Sequence, residues 1–145
     1  MYKLIPINPV QTYEEPLYQT KHCKQLIASM KPFYEKVGYQ SPWVGYFITD
    51  DEVVYGTTSF ASPPNNGEVE IAYWTFSEYE GRGIASHACK AIIDIAKSFD
   101  SKIRITAKTE PRANASTRIL EKNGFEFVKI VQDHEIGDAW LWQKN

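Results

Sequence analysis

The chain has 145 residues, with 16 Lys and Arg against 18 Asp and Glu and a net charge of −2, so it carries no electrostatic footprint for nucleic acid and no dense basic cluster. Hydrophobic residues make up 43% and charged residues 23%, the balance of a soluble globular chain that buries a core without staples, most simply as one domain over residues 1–145. The two cysteines, Cys23 and Cys89, stand far apart in no metal-binding pattern, which excludes a disulfide scaffold; with no leader-like N-terminus and no run of ~20 apolar residues, this predicts a cytoplasmic protein with no membrane partner and no metal.

Lys3–Ile7 reads as a short opening strand. Residues 13–37 favour helix, most clearly His22–Met30, where Leu26, Ile27 and Met30 recur at helical spacing. Pro32 is expected to break or restart that helix, and Gly38 with Pro42 marks a loop. Val44–Thr49 and Val53–Phe60 are rich in β-branched and aromatic residues and read as a hairpin joined by Asp50-Asp51-Glu52. Pro63-Pro64-Asn65-Asn66-Gly67 turns the chain into Glu68–Thr75, the last of three consecutive antiparallel strands.

From Gly83 the positions Ile84, Ala88, Ala91, Ile92, Ile95 and Phe99 form one core-facing helical stripe, which places Cys89 in the helix as a buried free thiol. Lys102–Thr109 alternates with period two and is a strand. Ala113–Lys122 is a second helix, closed by Asn123-Gly124 with Gly124 in the left-handed conformation. Phe125–Val131 and Ala139–Trp142 make a final strand pair. The order predicts an α+β fold: a mixed, mostly antiparallel central sheet of about six to seven strands flanked by helices.

The most informative segment is Glu80-Gly-Arg-Gly-Ile-Ala-Ser86, a glycine-rich turn between a strand and a helix. Such a turn leaves backbone N–H groups pointing outward at the positive end of the helix dipole, a natural site for a phosphate or pyrophosphate. Taken alone it fits a ligand-free turn or a partial dinucleotide fingerprint on Gly81, Gly83 and Ser86. The second reading sits poorly with an antiparallel strand ahead of the turn. No GK[ST] follows, which excludes a P-loop.

The surrounding segment, Glu68-Val-Glu-Ile-Ala-Tyr-Trp-Thr-Phe-Ser-Glu-Tyr-Glu-Gly-Arg-Gly-Ile-Ala-Ser-His-Ala88, resembles the acetyl-CoA-binding motif of the GNAT superfamily of N-acetyltransferases. Downstream, Ala113-Asn-Ala-Ser-Thr-Arg-Ile-Leu-Glu-Lys-Asn-Gly-Phe125 is similar to that family's second signature, in the form found in the branch that acetylates ribosomal-protein N-termini. The two segments span Glu68 to Phe125. The resemblance implies an acyl-CoA N-acyltransferase fold, acetyl-CoA as donor, and direct acetyl transfer to a primary amine of a small molecule or of a peptide N-terminus. The alternative is a non-catalytic or regulatory CoA-binding module of the same fold. A homodimer is left open.

Within that resemblance Gly83 and Ala85 take the motif's small positions, and Gly81, Arg82, Gly83, Ile84, Ala85 and Ser86 bind the pyrophosphate. Glu80 stands where Gln or Arg is usual, and its side chain is expected to point away. Trp74 and Thr75 pair through their backbone with the pantetheine arm, in a gap between their strand and Lys102–Thr109. Ser116 matches the second signature, near the thioester sulfur or the pantetheine. Ala113 replaces the usual Asn; Asn114 either substitutes for it as a donor-binding residue or caps the helix.

An alkyl ammonium, with pKa near ~10.4, must lose a proton before it attacks. A carboxylate acting directly or through water supplies that step. Glu70 is the candidate base, Glu68 the reserve on the same strand face, and a salt-bridged Glu70 the competing reading. The tyrosine that many family members use as general acid is Leu120 here, so Ser116 or water would take that role. His22, His87 and His134 have no evident partner and are not assigned. The resemblance implies an acceptor pocket from residues 13–43 and 131–140, where Tyr34, Tyr39, Trp43, Asp133 and Asp138 would suit a cation, with core packing the equal alternative for the aromatics.

Overall fold

The computed structural model describes residues 2–145. In chain order the elements are β1 (Lys3–Pro6), α1 (Lys21–Val37), β2 (Gly45–Thr49), β3 (Val54–Phe60), β4 (Glu68–Thr75), α2 (Ile84–Phe99), β5 (Arg104–Thr109), α3 (Ala115–Lys122), β6 (Glu126–Asp133) and β7 (Gly137–Lys144). The seven strands form one sheet in the order β1-β2-β3-β4-β5-β7-β6. Every pairing is antiparallel except β4 with β5. The expected α+β class and mixed sheet are therefore met. β6 runs past Val131, its expected end, and β7 begins at Gly137, ahead of the expected Ala139, so that only a short turn at His134–Ile136 separates them.

Register fixes which side chains share a face. Gly45 of β2 lies opposite Ser59 of β3, which lies opposite Ala72 of β4. The Met30 side chain of α1 packs directly over Gly45. Because β4 alternates with period two, Glu68, Glu70, Ala72 and Trp74 share the α1 side of the sheet. Ile48, opposite Gly56 and through it Thr75, packs instead with Ile84 and Ala88 of α2. Val69, Ile71, Tyr73 and Thr75 thus belong to the α2 side. β4 presents a different chemistry to each face.

Pro32 does not break α1, which runs unbroken from Lys21 to Val37. The proline costs ~3 kcal/mol in a helix interior. Against this, Cys23, Leu26, Met30 and Tyr34 keep helical spacing across it and are all buried, each contributing ~1.5–3 kcal/mol when large and apolar. Pro32 and Ala28 lie on the exposed face, where the carbonyl released by the missing N–H is open to water. The Tyr34 hydroxyl then ties the second half of the helix to the sheet, donating to the Ile7 carbonyl at 2.7 Å and accepting from the Gly45 N–H at 3.1 Å.

In α2 the buried residues are Ile84, Ala88, Cys89, Ile92, Ile93 and Ala96. Phe99, expected in the stripe, is 65% exposed and lies edge-on to Trp43 at the last turn. Cys89 is fully buried as expected, and burial pushes its thiol up to about 12.

Candidate active site

β4 and β5 pair only through Glu68 with Arg104, Val69 with Ile105 and Glu70 with Thr106. The other edge of β4 stays paired with β3 as far as Thr75. From Ile71 onward the edge of β4 that faces β5 has no strand beside it, and the sheet opens into a wedge inside the molecule. Across the opening the Tyr73 hydroxyl donates to the Ser116 carbonyl at 3.2 Å. Burial raises the Tyr73 phenol well above its ordinary value. The Thr75 hydroxyl oxygen is buried with no hydrogen-bond partner among the described residues. A buried, unpaired hydroxyl on the wedge wall fits a ligand that supplies the missing partner there.

The chain leaves β4 through a single 3-10 turn, Ser77–Tyr79, and enters α2 through the glycine-rich segment. Gly81 and Gly83 have φ of 80° and 76°, the left-handed region that glycine occupies without cost. A Cβ at either would project into open space, so the surface over the turn is clear. Gly83 is the N-cap of α2, with no side-chain cap and no acidic residue in the first turn. The N–H groups of Ile84, Ala85 and Ser86 are thus left for an outside acceptor at the positive end of a 16-residue helix. The Arg82 guanidinium lies over the Tyr79 ring, 5.6 Å from its centre. Glu80 is exposed and forms no ion pair among the described residues.

Asn114 caps α3. Its Oδ1 accepts from the Thr117 N–H at 3.1 Å, and the Thr117 hydroxyl accepts from the Asn114 N–H at 2.9 Å, a complete capping box. The capping reading of Asn114 is thus seen directly, through its Oδ1 and backbone N–H. Leu120 is fully buried in the core, so no hydroxyl replaces the family tyrosine at that position.

On the α1 side of the wedge Glu70 meets Lys108 of β5, with Nζ 3.4 Å from Oε1. Lys108 also reaches Asp133 at the end of β6, 3.6 Å away. The Asp133 carboxyl is held below its ordinary value first by the Glu135 N–H, with the Ile136 N–H and Lys108 adding to it. Glu68 pairs with Arg104 at 3.3 Å. Beyond Trp74 stands His22, whose Nδ1 is 2.8 Å from Glu78 Oε1 and whose ring packs near Trp74 and Phe76. His22 therefore does have a carboxylate partner, brought in from the 3-10 turn. His87 lies on the α2 surface against Tyr2, and His134 is exposed near Glu135.

Of the two readings of the aromatics in residues 13–43, core packing holds for two. Tyr34 and Trp43 are only 6% exposed, because α1 and the start of β2 close over them. Tyr39 is exposed against Tyr34, and Asp138 bonds Gln132 across the β6–β7 ladder. The sequence pattern alone does not bring Lys108 and Tyr73 to the site. Strand parity places both on the wedge once Glu70 and Thr106 are known to be neighbours, but that register joins residues far apart in the chain.

A family model described as an acetyltransferase (GNAT) domain matches residues 7–126. A Bacillus subtilis protein described as an uncharacterized N-acetyltransferase, YjdG, is 33% identical over 105 residues, which are 72% of this chain and 59% of that protein. Among solved structures, a ribosomal-protein-S5-alanine acetyltransferase from Vibrio fischeri superposes with a TM-score of 0.66 at 19% identity, covering 99% of this chain and 91% of that one. The microcin C7 self-immunity acetyltransferase MccE, in complex with acetyl-CoA and AMP, superposes at 0.64 and 21% identity over 84% of this chain and 69% of that one. The likeness to both structures is one of fold. The chain spans 50% to 59% of the length of the curated relatives it matches.

Proposed function

The chain belongs to the GNAT acetyltransferase family, and on that premise we propose that residues 1–145 form one acetyltransferase domain that moves the acetyl group of acetyl-CoA to a primary amine. The amine belongs to a small molecule or a peptide N-terminus. The observation that carries the reading is the wedge between β4 and β5, which ends at an uncapped, glycine-rich helix N-terminus.

The residues divide the work by face. The N–H groups of the Gly81–Ser86 turn bind the donor's pyrophosphate, and Arg82 adds a positive charge. The free backbone edge at Trp74 and Thr75 hydrogen-bonds the pantetheine arm as an added strand would, and the Thr75 hydroxyl gains its partner from it. Ser116 lies at the other wall of the wedge, where the Tyr73 hydroxyl fixes the first turn of α3. On the opposite face Glu70 takes a proton from the acceptor ammonium, directly or through one water. A C–N bond to the acetyl carbon then forms as its C–S bond breaks, and the second proton of the attacking amine passes through Ser116 or water to the departing thiolate.

Acetyl-CoA titrated by calorimetry, followed by a thiol-release assay over a panel of polyamines, amino acids, aminoglycosides and peptides with free N-termini, tests this. Binding together with turnover on at least one amine is expected. Binding without turnover on any of them identifies a CoA-binding module, and no binding overturns the reading. Glu70→Gln is expected to cut kcat on the order of 100-fold or more with donor affinity nearly unchanged. Undiminished turnover removes Glu70 as the base.

A further inference from the structure

Next to the glycine-rich turn, on the α2 and α3 side of the sheet, lies a groove of about 710 Å³ lined by Gly83, Ser86, Lys90, Lys122, Asn123 and Lys144, among others. Three lysines from three different elements converge on it: Lys90 from α2, Lys122 from the last turn of α3, and Lys144 from the end of β7. One carboxylate, Asp94, also lines it, and Lys90 already holds that group at 3.2 Å. Lys122 and Lys144 have no carboxylate partner among the described residues.

Lys144 is the informative one. Its side chain folds over the end of α3 against the bare backbone of Gly124, where a Cβ would come within 2.7 Å of Nζ. The Lys144 side chain is partly buried and its ammonium has no carboxylate beside it among the described residues, so an anion entering the groove would find an unpaired charge there. The floor beneath is fixed: the Asn123 side-chain amide donates to the Ile119 carbonyl at 2.9 Å and to the Ser86 hydroxyl at 3.4 Å. The Asn123, Gly124 and Phe125 N–H groups take up the carbonyls of Ile119, Leu120 and Glu121. The negative end of α3 is thereby muted, and the groove keeps a surplus of positive charge.

Resting on the donor reading above, we propose that this groove is a second phosphate subsite, in which Lys122 and Lys144 bind the 3′-phosphate of the CoA ribose. The turn needs an acceptor only for the pyrophosphate. The lysine groove begins at the same Gly83 and Ser86 and runs away from the wedge, so it takes the next phosphate along an extended nucleotide. A phosphomonoester carries close to two charges near neutral pH, matching the two lysines left without partners.

Calorimetric titration of CoA and of dephospho-CoA, which keeps the pyrophosphate and lacks only the 3′-phosphate, tests the subsite. The wild-type protein is expected to bind CoA on the order of 10-fold or more tightly than dephospho-CoA, with the preference shrinking as salt is raised. The Lys122→Met/Lys144→Met variant is expected to bind the two within about 2-fold of each other, through loss of CoA affinity alone. Equal wild-type affinities overturn the subsite while leaving the donor reading intact. A preference that the double variant retains overturns the assignment to these lysines. If neither nucleotide binds, the donor reading fails and the subsite with it. The wild-type comparison and its salt dependence decide the matter even where the variant does not fold.

Discussion

Lys108 extends from β5 between two carboxylates that come from different strands, Glu70 of β4 and Asp133 of β6. All three side chains are partly shielded, at 31%, 34% and 16% exposed for Lys108, Glu70 and Asp133. A primary ammonium therefore already sits against the proposed base, where an acceptor ammonium is to be received. Replacing it with a neutral side chain of similar length removes a competitor for the same carboxylates. Lys108→Met is expected to lower KM for a cationic acceptor by roughly 2- to 5-fold, the scale of a partly exposed ion pair, as read from initial rates against acceptor concentration. A KM that rises would show that Lys108 holds Glu70 in place rather than competing for it. The parity of Glu70 was legible in the chain because alternation is a local property. Its pairing with Lys108 was not, since that depends on a strand register set across more than thirty residues. The same limit hid the partner of His22, which is Glu78 on a turn in the middle of the chain.

Among the elements, α3 is only 8 residues long, and a helix so short depends on its ends and its packing more than on its propensity. Its capping box satisfies two backbone donors reciprocally, so Asn114→Ala is expected to cost about 1 kcal/mol of stability. That loss is measured as a lower Tm by calorimetry, and Asn114→Ser should restore most of it. An unchanged Tm would show that the capping box contributes nothing to the stability of α3. The helix boundaries and the left-handed Gly124 were legible, because caps and glycines signal locally. The continuity of α1 is hidden from the sequence for the opposite reason: proline's cost is local, whereas the burial of Leu26, Met30 and Tyr34 that outweighs it is tertiary. Phe99 fits the helical period, yet at the last turn of α2 it is exposed beside Trp43, so periodicity alone points to the core where the fold does not follow. The final strand pair was shortened because β6 is largely exposed, and its residues past Val131 carry no hydrophobic alternation to read.

Over the molecule as a whole, burial of acidic hydrogen donors makes stability depend on alkaline pH. Burial raises the Cys23 and Cys89 thiols from 9.0 to about 11 and about 12, and the Tyr34 and Tyr46 phenols from 10.0 to about 12. Above about pH 9 the unfolded chain releases protons that the folded protein keeps. This stabilisation is complete below that pH and is lost as pH rises towards about 12. Calorimetric Tm is expected to fall steadily from pH 8.5 to pH 11, values set by the ~8.5 and ~10 of free thiols and phenols; a flat Tm would contradict the burial of these groups. The same sheet has a mechanical consequence. Strands β1 to β4 and strands β5, β7 and β6 are two flaps joined along a seam of three residue pairs. The Tyr73 hydroxyl braces their open end on the α2 side and the Lys108–Glu70 ion pair on the α1 side. A seam this short leaves the opening angle between the flaps less constrained by ladder hydrogen bonds than the rest of the sheet. On the proposed reading, a donor arm lying along the free edge of β4 zips the flaps together. It thereby sets the spacing of Glu70 and Lys108 on the far side without touching either, so the first substrate to arrive gauges the width of the seat prepared for the second.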